Sequence, residues 1–148
     1  MKRWIHAKEN IVAKLNNSAE HYTNRIKEAH SIASSKIDVI KQFLAPEGRI
    51  VSSADFSVAV TQAAKALGYV DCACFTAAGI LSAMLDNIDA EYTLCIGTKA
   101  KPEDVSKNQS LPINHCWIEF GDKIYEVGGG SSNANYFAQK ETSSASDL

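Results

Sequence analysis

Ile113-Asn114-His115-Cys116-Trp117-Ile118-Glu119-Phe120-Gly121-Asp122-Lys123-Ile124-Tyr125-Glu126-Val127 is the stretch that decides the fold. Two short runs rich in β-branched and aromatic residues flank Gly121-Asp122. They read as a hairpin, Ile113 to Phe120 and Lys123 to Val127, with a two-residue turn and Gly in its first position. Alternation puts His115, Trp117 and Glu119 on one face and Cys116, Ile118 and Phe120 on the other, the expected core face. With the turn at 121–122, Trp117 stands opposite Glu126 and His115 opposite Gly128. Glu126 is then the diagonal neighbour of His115 on the same face. A carboxylate there holds an imidazole in one tautomer and leaves the other ring nitrogen for a thiol. A strand histidine alone is ordinarily a satisfied or exposed residue; the Glu126 spacing is what gives His115 a functional reading.

Upstream of the hairpin, Tyr92-Thr93-Leu94-Cys95-Ile96-Gly97 reads as a strand, and Lys99 to Pro112 as a polar loop. Before residue 90 the period is helical. Ile11, Leu15, Ala19, Tyr22, Ile26, Ala29, Ala33, Ile37, Ile40 and Leu44 recur at steps of three or four, with Asn16-Asn17-Ser18 as an expected break. The alanines in this stripe favour packing on the domain's own core over a coiled-coil seam. Pro46 and Gly48 end it. Ser52-Ser53-Ala54-Asp55 resembles a capping box for a second helix, which Gly68 closes. A third helix is expected over residues 72–86 with Asp71 as N-cap. Gly128 to Ser132 reads as loop. Helices followed by an antiparallel meander make an α+β domain. The expected division is a helical segment 1–49 packed on or flanking the core, a core 50–138 and a disordered tail 139–148.

The first turn of that third helix is where a cysteine becomes reactive, because unpaired N–H groups and the helix dipole stabilise a thiolate. Two cysteines compete for the place. On a helix that starts at 72, Cys74 aligns with Ala78, Leu81, Leu85 and Ile88, which should face the core, and Cys72 points about 160° away. Cys74 then reads as a small buried hydrophobe and Cys72 as the thiol free to react.

The same run, Cys72 to Ile88, resembles the nucleophile helix of transglutaminase-like cysteine enzymes, a branch of the papain-like fold. In that family the Cys is followed by an aromatic at the third position, where Phe75 stands. An apolar helix follows, then a Gly-Ile step fifteen and sixteen residues on, where Asn87 and Ile88 stand. A strand ending in Gly is similar to Leu94-Cys95-Ile96-Gly97. The His-Ala-Trp-Val-Glu strand is similar to His115-Cys116-Trp117-Ile118-Glu119, and Glu126 takes the place of the usual Asp. The resemblance covers about residues 66–128, and its register selects Cys72. Length and order are also similar to the leader peptidases of lasso-peptide maturation, although Phe75 and Thr76 replace the Arg that follows their nucleophile.

The resemblance implies a papain-like domain whose nucleophile helix packs on a small antiparallel sheet, decorated by N-terminal helices. It implies a Cys72-His115-Glu126 triad that attacks an amide carbonyl and forms a thioester on a peptide or protein substrate, without a cofactor or a metal. The Cys72 N–H supplies half of an oxyanion hole. Gln62 is a candidate for the second donor, Trp117 for a wall that keeps water from the pair, and Glu119 for a salt bridge. Peptidase or amidohydrolase is the leading activity, with glutamine deamidase and transglutaminase as alternatives that share the triad.

Two other readings compete. Cys72, Cys74, Cys95, His115 and Cys116 are the donors a structural zinc would use, but Cys-x-Cys is a weak metal signal and His115 and Cys116 face opposite sides of a strand. A catalytically inactive papain-like domain that binds a protein through its N-terminal helices is the other, since Asn87 and Glu126 depart from the family pattern.

Composition sets the outer bounds. The chain has 148 residues, 45% hydrophobic and 22% charged, with a formal net charge of −2. That suits one domain with one core and excludes global disorder. Nine Lys/Arg against five Asp/Glu in residues 1–49, and six against twelve in the rest, make the first third mildly basic. Those charges spread along a helical face, and no basic patch is interleaved with aromatics, so nucleic acid is not an expected partner. Gly128-Gly129-Gly130 lacks the Lys of a phosphate loop. No run approaches the ~18 apolar residues of a membrane span. No apolar run follows the basic start, so the expectation is a cytoplasmic protein with its four cysteines reduced.

Overall fold

A computed structural model describes residues 19–101, 112–128 and 134–148. Among these residues, four α-helices precede a four-stranded antiparallel sheet: α1 (19–34), α2 (Ile37–Leu44), α3 (Phe56–Ala66), α4 (Cys74–Asn87), β1 (Thr93–Ala100), β2 (His115–Phe120), β3 (Lys123–Tyr125) and β4 (Asn135–Thr142). Strand order is β3-β2-β1-β4. The fold is thus α+β, as its pattern predicts.

The helices form because each carries an apolar stripe with a common target. Ile26, Ala33, Ile40 and Leu44 from α1 and α2 are 0% exposed and share one cluster with Val60 and Ala63 of α3 and Ile80, Leu81, Met84 and Leu85 of α4. Each large aliphatic side chain so buried contributes about 2 kcal/mol. The described part of the N-terminal stripe, from residue 19 on, is therefore part of the domain's own core. The expected break at Asn16-Asn17-Ser18 lies outside the described residues. A break does fall at Ser35-Lys36, where the Ser35 hydroxyl donates to the Ile32 carbonyl at 2.7 Å and competes with the helical ladder.

α4 is buried almost all round, with Thr76 through Leu85 all buried, so it is the central element rather than an amphipathic surface helix. α1 crosses it closely at Gly79. A Cβ there would lie 2.6 Å from both Ala29 Cβ and the Ile26 carbonyl oxygen, so no other residue fits. Tyr22 meets Phe75 one turn toward the N-terminus, and His30 meets Asp86 further along. The two helices therefore run side by side in the same direction, a geometry that matters below.

The hairpin has the register expected from its turn: Ile118 pairs with Tyr125, Glu119 with Ile124 and Phe120 with Lys123. Gly121 and Asp122 both have positive φ, 56° and 63°, so the turn belongs to the I′ class, in which both central residues are left-handed. β2 is covered on both faces: His115 and Trp117 are 6% and 1% exposed, and Cys116 and Ile118 are 0%.

Three expectations need correction here. The third helix begins at Cys74, not at 72, and its N-cap is Ala73, extended at φ −77°, ψ 166°, with no side-chain cap. Cys72 and exposed Asp71 belong to the preceding loop. The segment 139–148 is ordered rather than a loose tail. Its first residues complete β4, which pairs with β1 through a bulge at Ile96/Gly97, and Ala145–Asp147 form a 3₁₀ turn with Ala145 1% exposed. The polar loop expected over Lys99–Pro112 also starts later, since β1 runs to Ala100; residues 102–111 lie outside the described ones, as do 129–133 of the glycine-rich loop.

Candidate active site

Cys74 is the first residue of α4, where the backbone N–H groups have no partner inside the helix. It meets β2 at that strand's first two residues. Its thiol is held down to about 5, first by a hydrogen bond from the Cys116 side chain. Burial opposes this, while a hydrogen bond and charge from His115 and the Cys116 backbone N–H assist it. Burial works to lower the basicity of His115, but hydrogen bonds to Cys74 and Glu126, with their charges, leave it raised above 6.5. The pair therefore favours thiolate and imidazolium near neutral pH. The Cys116 thiol, 0% exposed, is pushed well above the ordinary range, first by burial and then by the Cys74 charge, so it stays a neutral donor.

His115 Nε2 lies 2.7 Å from Glu126 Oε1. That leaves Nδ1 for the thiol. Lys99 Nζ donates to the same carboxylate oxygen at 2.7 Å, and the Tyr136 hydroxyl donates to Oε2. Burial raises the Glu126 carboxyl, yet the hydrogen bonds from His115, Lys99 and Tyr136 overcome it and bring it to about 2. Trp117 stacks on His115 with centroids 5.9 Å apart and meets Tyr136 edge-on at 5.1 Å. Imidazole, indole, phenol and lysine thus form one layer with Glu126 at its centre.

Of the residues expected from sequence, His115, Glu126 and Trp117 come together and Cys72 does not join them. The Cys72 thiol points at α3, 3.9 Å from the Val60 carbonyl oxygen. Burial pushes it up to about 11, partly offset by a hydrogen bond from Thr61. The reason is the helix start: a thiol two residues before α4 has neither its orphan N–H groups nor the imidazole. Cys74, read as a buried hydrophobe, is half-buried and holds the place expected of Cys72. Trp117 covers the imidazole, but its indole N–H is taken by Glu119 Oε1 at 3.3 Å, so it is not directed at the thiol. Glu119 therefore accepts from an indole where a salt bridge was expected. Gln62 is exposed on α3, and it is not among the hydrogen-bond partners of Cys74 or His115.

Three contributors went unseen in the sequence. Lys99 lay in an expected loop and Tyr136 preceded an expected tail. Register was the available signal for Lys99: it lies two residues beyond Gly97, which pairs with His115, and so on the same face. Tyr136 pairs with Lys99. The third is Tyr22 of α1, whose phenol is pushed up to about 12 first by burial, then by the charges of Cys74 and Cys116 and by hydrogen bonding to Cys74. Its ring lies 5.9 Å from Phe75.

Among the described residues no three His, Cys, Asp or Glu side chains are arranged to hold a metal ion. A surface cavity of about 870 Å³ lies beside the hairpin turn, between Ala90–Thr93 and Glu119–Ile124, and shares no residue with this cluster. Among the described residues, no helix is long and apolar enough to cross a membrane. No protein-family model, curated protein or solved structure matches the chain.

Proposed function

We propose that the protein is a cysteine-dependent amide-bond hydrolase or acyl transferase, papain-like in its core, with Cys74 as nucleophile, His115 as acid–base and Glu126 as the group that orients His115. The observation that carries this is the three-part chain: a low-pKa thiol at a helix N-terminus, an imidazole beside it, and a carboxylate on the imidazole's other nitrogen. The Cys74 thiolate attacks the carbonyl carbon and forms a C–S bond. The His115 imidazolium gives its proton to the departing amine as the C–N bond breaks, which leaves a thioester and neutral imidazole. Water or an amine then attacks the thioester. His115 takes the attacker's proton, and expulsion of the thiolate restores the ion pair. Lys99 and Tyr136 pin the carboxylate that fixes the ring.

Counted from Cys74 instead of Cys72, the resembled pattern loses its aromatic and its Ile, because Ala77 and Ala90 stand at the third and sixteenth positions, and keeps only the backbone shape of its glycine. The position fifteen residues on, where the family carries Gly, is then Asp89. Its φ is 58°, the left-handed conformation that glycine favours. Counted from Cys72 the position is Asn87, the last residue of α4. The substrate class that fits is a peptide or protein amide.

Iodoacetamide alkylation across pH, resolved by cysteine with mass spectrometry in wild type and His115→Ala, tests the reading. Cys74 is expected to react fastest of the four at pH 6 and to lose that advantage without His115. Cys74 titrating as an ordinary thiol, or Cys72 reacting faster, overturns it.

A further inference from the structure

A thiolate that attacks an amide carbonyl needs donors for the oxygen that becomes negative. The backbone N–H of Cys74 is one, since the first residue of a helix has no intrahelical acceptor. A second donor must lie on the open side of the sulfur. Cys116 is 0% exposed and lies against the thiol from the core side, so an incoming carbonyl cannot reach it. The Trp117 indole is committed to Glu119, and exposed Gln62 is not among the hydrogen-bond partners of Cys74 or His115. Tyr22 remains.

Building on the cysteine-enzyme reading, we infer that the Tyr22 hydroxyl is the second oxyanion donor, reached from α1 across the start of α4. Three contacts fix its place. Ile26 and Ala29 close on Gly79, which sets the helices side by side, and His30 holds Asp86 at 2.8 Å. One turn back, the Tyr22 ring packs on Phe75, the neighbour of the nucleophile, and the ring of exposed His21 lies 5.7 Å from Phe75. The half-buried phenol therefore sits beside the sulfur where solvent, and a substrate, approach. When the C–S bond forms, the carbonyl π pair moves onto oxygen, one bond from the carbon that sulfur has reached. A hydroxyl that donates to the thiolate can turn to that oxygen without moving its ring. It donates a hydrogen bond and keeps its proton. Burial and the Cys74 charge push the phenol up to about 12, so it remains a donor through neutral pH.

Two reactions of the same sulfur separate this role from thiolate tuning. Alkylation by iodoacetamide is a displacement at saturated carbon and develops no oxyanion. Acylation by p-nitrophenyl acetate passes through one and releases p-nitrophenolate. In the full-length chain, Tyr22→Phe is expected to slow Cys74 acylation about 100-fold and to leave its alkylation rate at pH 7 within about two-fold of wild type. Phe75→Leu disturbs the same packing but keeps the hydroxyl, and is expected to leave the ratio of the two rates unchanged. Unchanged acylation in Tyr22→Phe overturns the inference, and so does an equal fall in both reactions. If wild-type Cys74 is not acylated and His115→Ala matches wild type in both assays, the enzyme reading itself fails.

Discussion

α4 has a histidine–carboxylate pair at each end, and the two ends do different things. At the N-terminal end His115 Nε2 meets Glu126 at 2.7 Å, and at the C-terminal end His30 Nε2 meets Asp86 at 2.8 Å. Distance does not tell them apart. The first pair is enclosed, with side chains 8% and 18% exposed against 18% and 32% for the second. More telling is what the second ring nitrogen and the helix end supply. His115 has a thiol beside it at the positive end of the helix, where negative charge is favoured. Asp86 sits in the last turn of α4, and its oxygens are spent on tying chain segments together. It accepts from Tyr92 at 2.6 Å and from Ser144 at 2.8 Å, while Ser82 accepts the Ala145 backbone N–H at 3.1 Å. On the function proposed above, one pair prepares a nucleophile, while the other fastens the C-terminal segment to the core. A histidine beside a carboxylate is therefore no site until a third group gives the imidazole something to deprotonate.

The sharpest way to break that contrast is to remove the thiol. Cys74→Ala is expected to lower p-nitrophenyl acetate acylation by at least about 10³-fold, with the fold retained by circular dichroism. Cys72→Ala is expected to keep the wild-type rate, since that thiol faces α3. A large loss in Cys72→Ala with none in Cys74→Ala would reverse the assignment.

Glu126→Gln probes the same end more gently. The ring loses its anionic partner, and acylation is expected to fall by about 10-fold to 100-fold. The variant also has a signature in stability. The Glu126 carboxyl is lowered from 4.5 to about 2, so the folded state binds that proton more weakly than the unfolded state. Its stabilisation is full above pH 4.5 and is lost as pH falls toward 2. Urea midpoints measured from pH 5 to pH 2.5 are expected to fall less steeply in Glu126→Gln than in wild type.

At the other end the readouts exchange places. Asp86→Ala removes the acceptor shared by His30, Tyr92 and Ser144, and is expected to cost about 2 kcal/mol in urea unfolding. Proteolysis should begin at residues 143–148, while Cys74 acylation and alkylation stay at wild-type rates. A loss of acylation without a loss of stability would show that the two ends are not separable.

The same contrast shows what could be read from the chain alone. The helices and the hairpin carry strong periodicities because each buries one defined stripe or face, and the diagonal between His115 and Glu126 followed from turn length. β4 carries no such pattern: Asn135 to Thr142 is an edge strand with most side chains exposed, so no burial imposes alternation on it. Without β4, Tyr136 had no place and Lys99 had no strand partner. The choice of candidate nucleophile turned on two residues of helix start. Asp71 resembles an N-cap, but the backbone turns helical only after Ala73, because the thiol, imidazole and β2 dictate where α4 docks. Helix boundaries set by tertiary contacts leave little local signal. Tyr22 illustrates the same limit, since it appeared as one apolar position in a stripe, with nothing to show that its hydroxyl would cross to another helix.

Cys116 offers the finest adjustment. Its thiol is the largest single influence holding the Cys74 pKa down, and its only route to that effect is a hydrogen bond to sulfur. Cys116→Ala deletes the donor and keeps the backbone N–H, the imidazole and the helix end. Ala is also the residue that the resembled pattern carries at this position, so the strand should accept it, with a cavity of one sulfur atom costing about 1 kcal/mol. Above its pKa the thiolate reacts and below it the thiol does not, so the acid limb of the alkylation profile marks that pKa. The limb is expected near pH 5 in wild type and at a higher pH in Cys116→Ala, with an unchanged or faster plateau because a less stabilised thiolate is the better nucleophile. An acid limb that stays in place would assign the depression of the Cys74 pKa to His115 and the helix end alone.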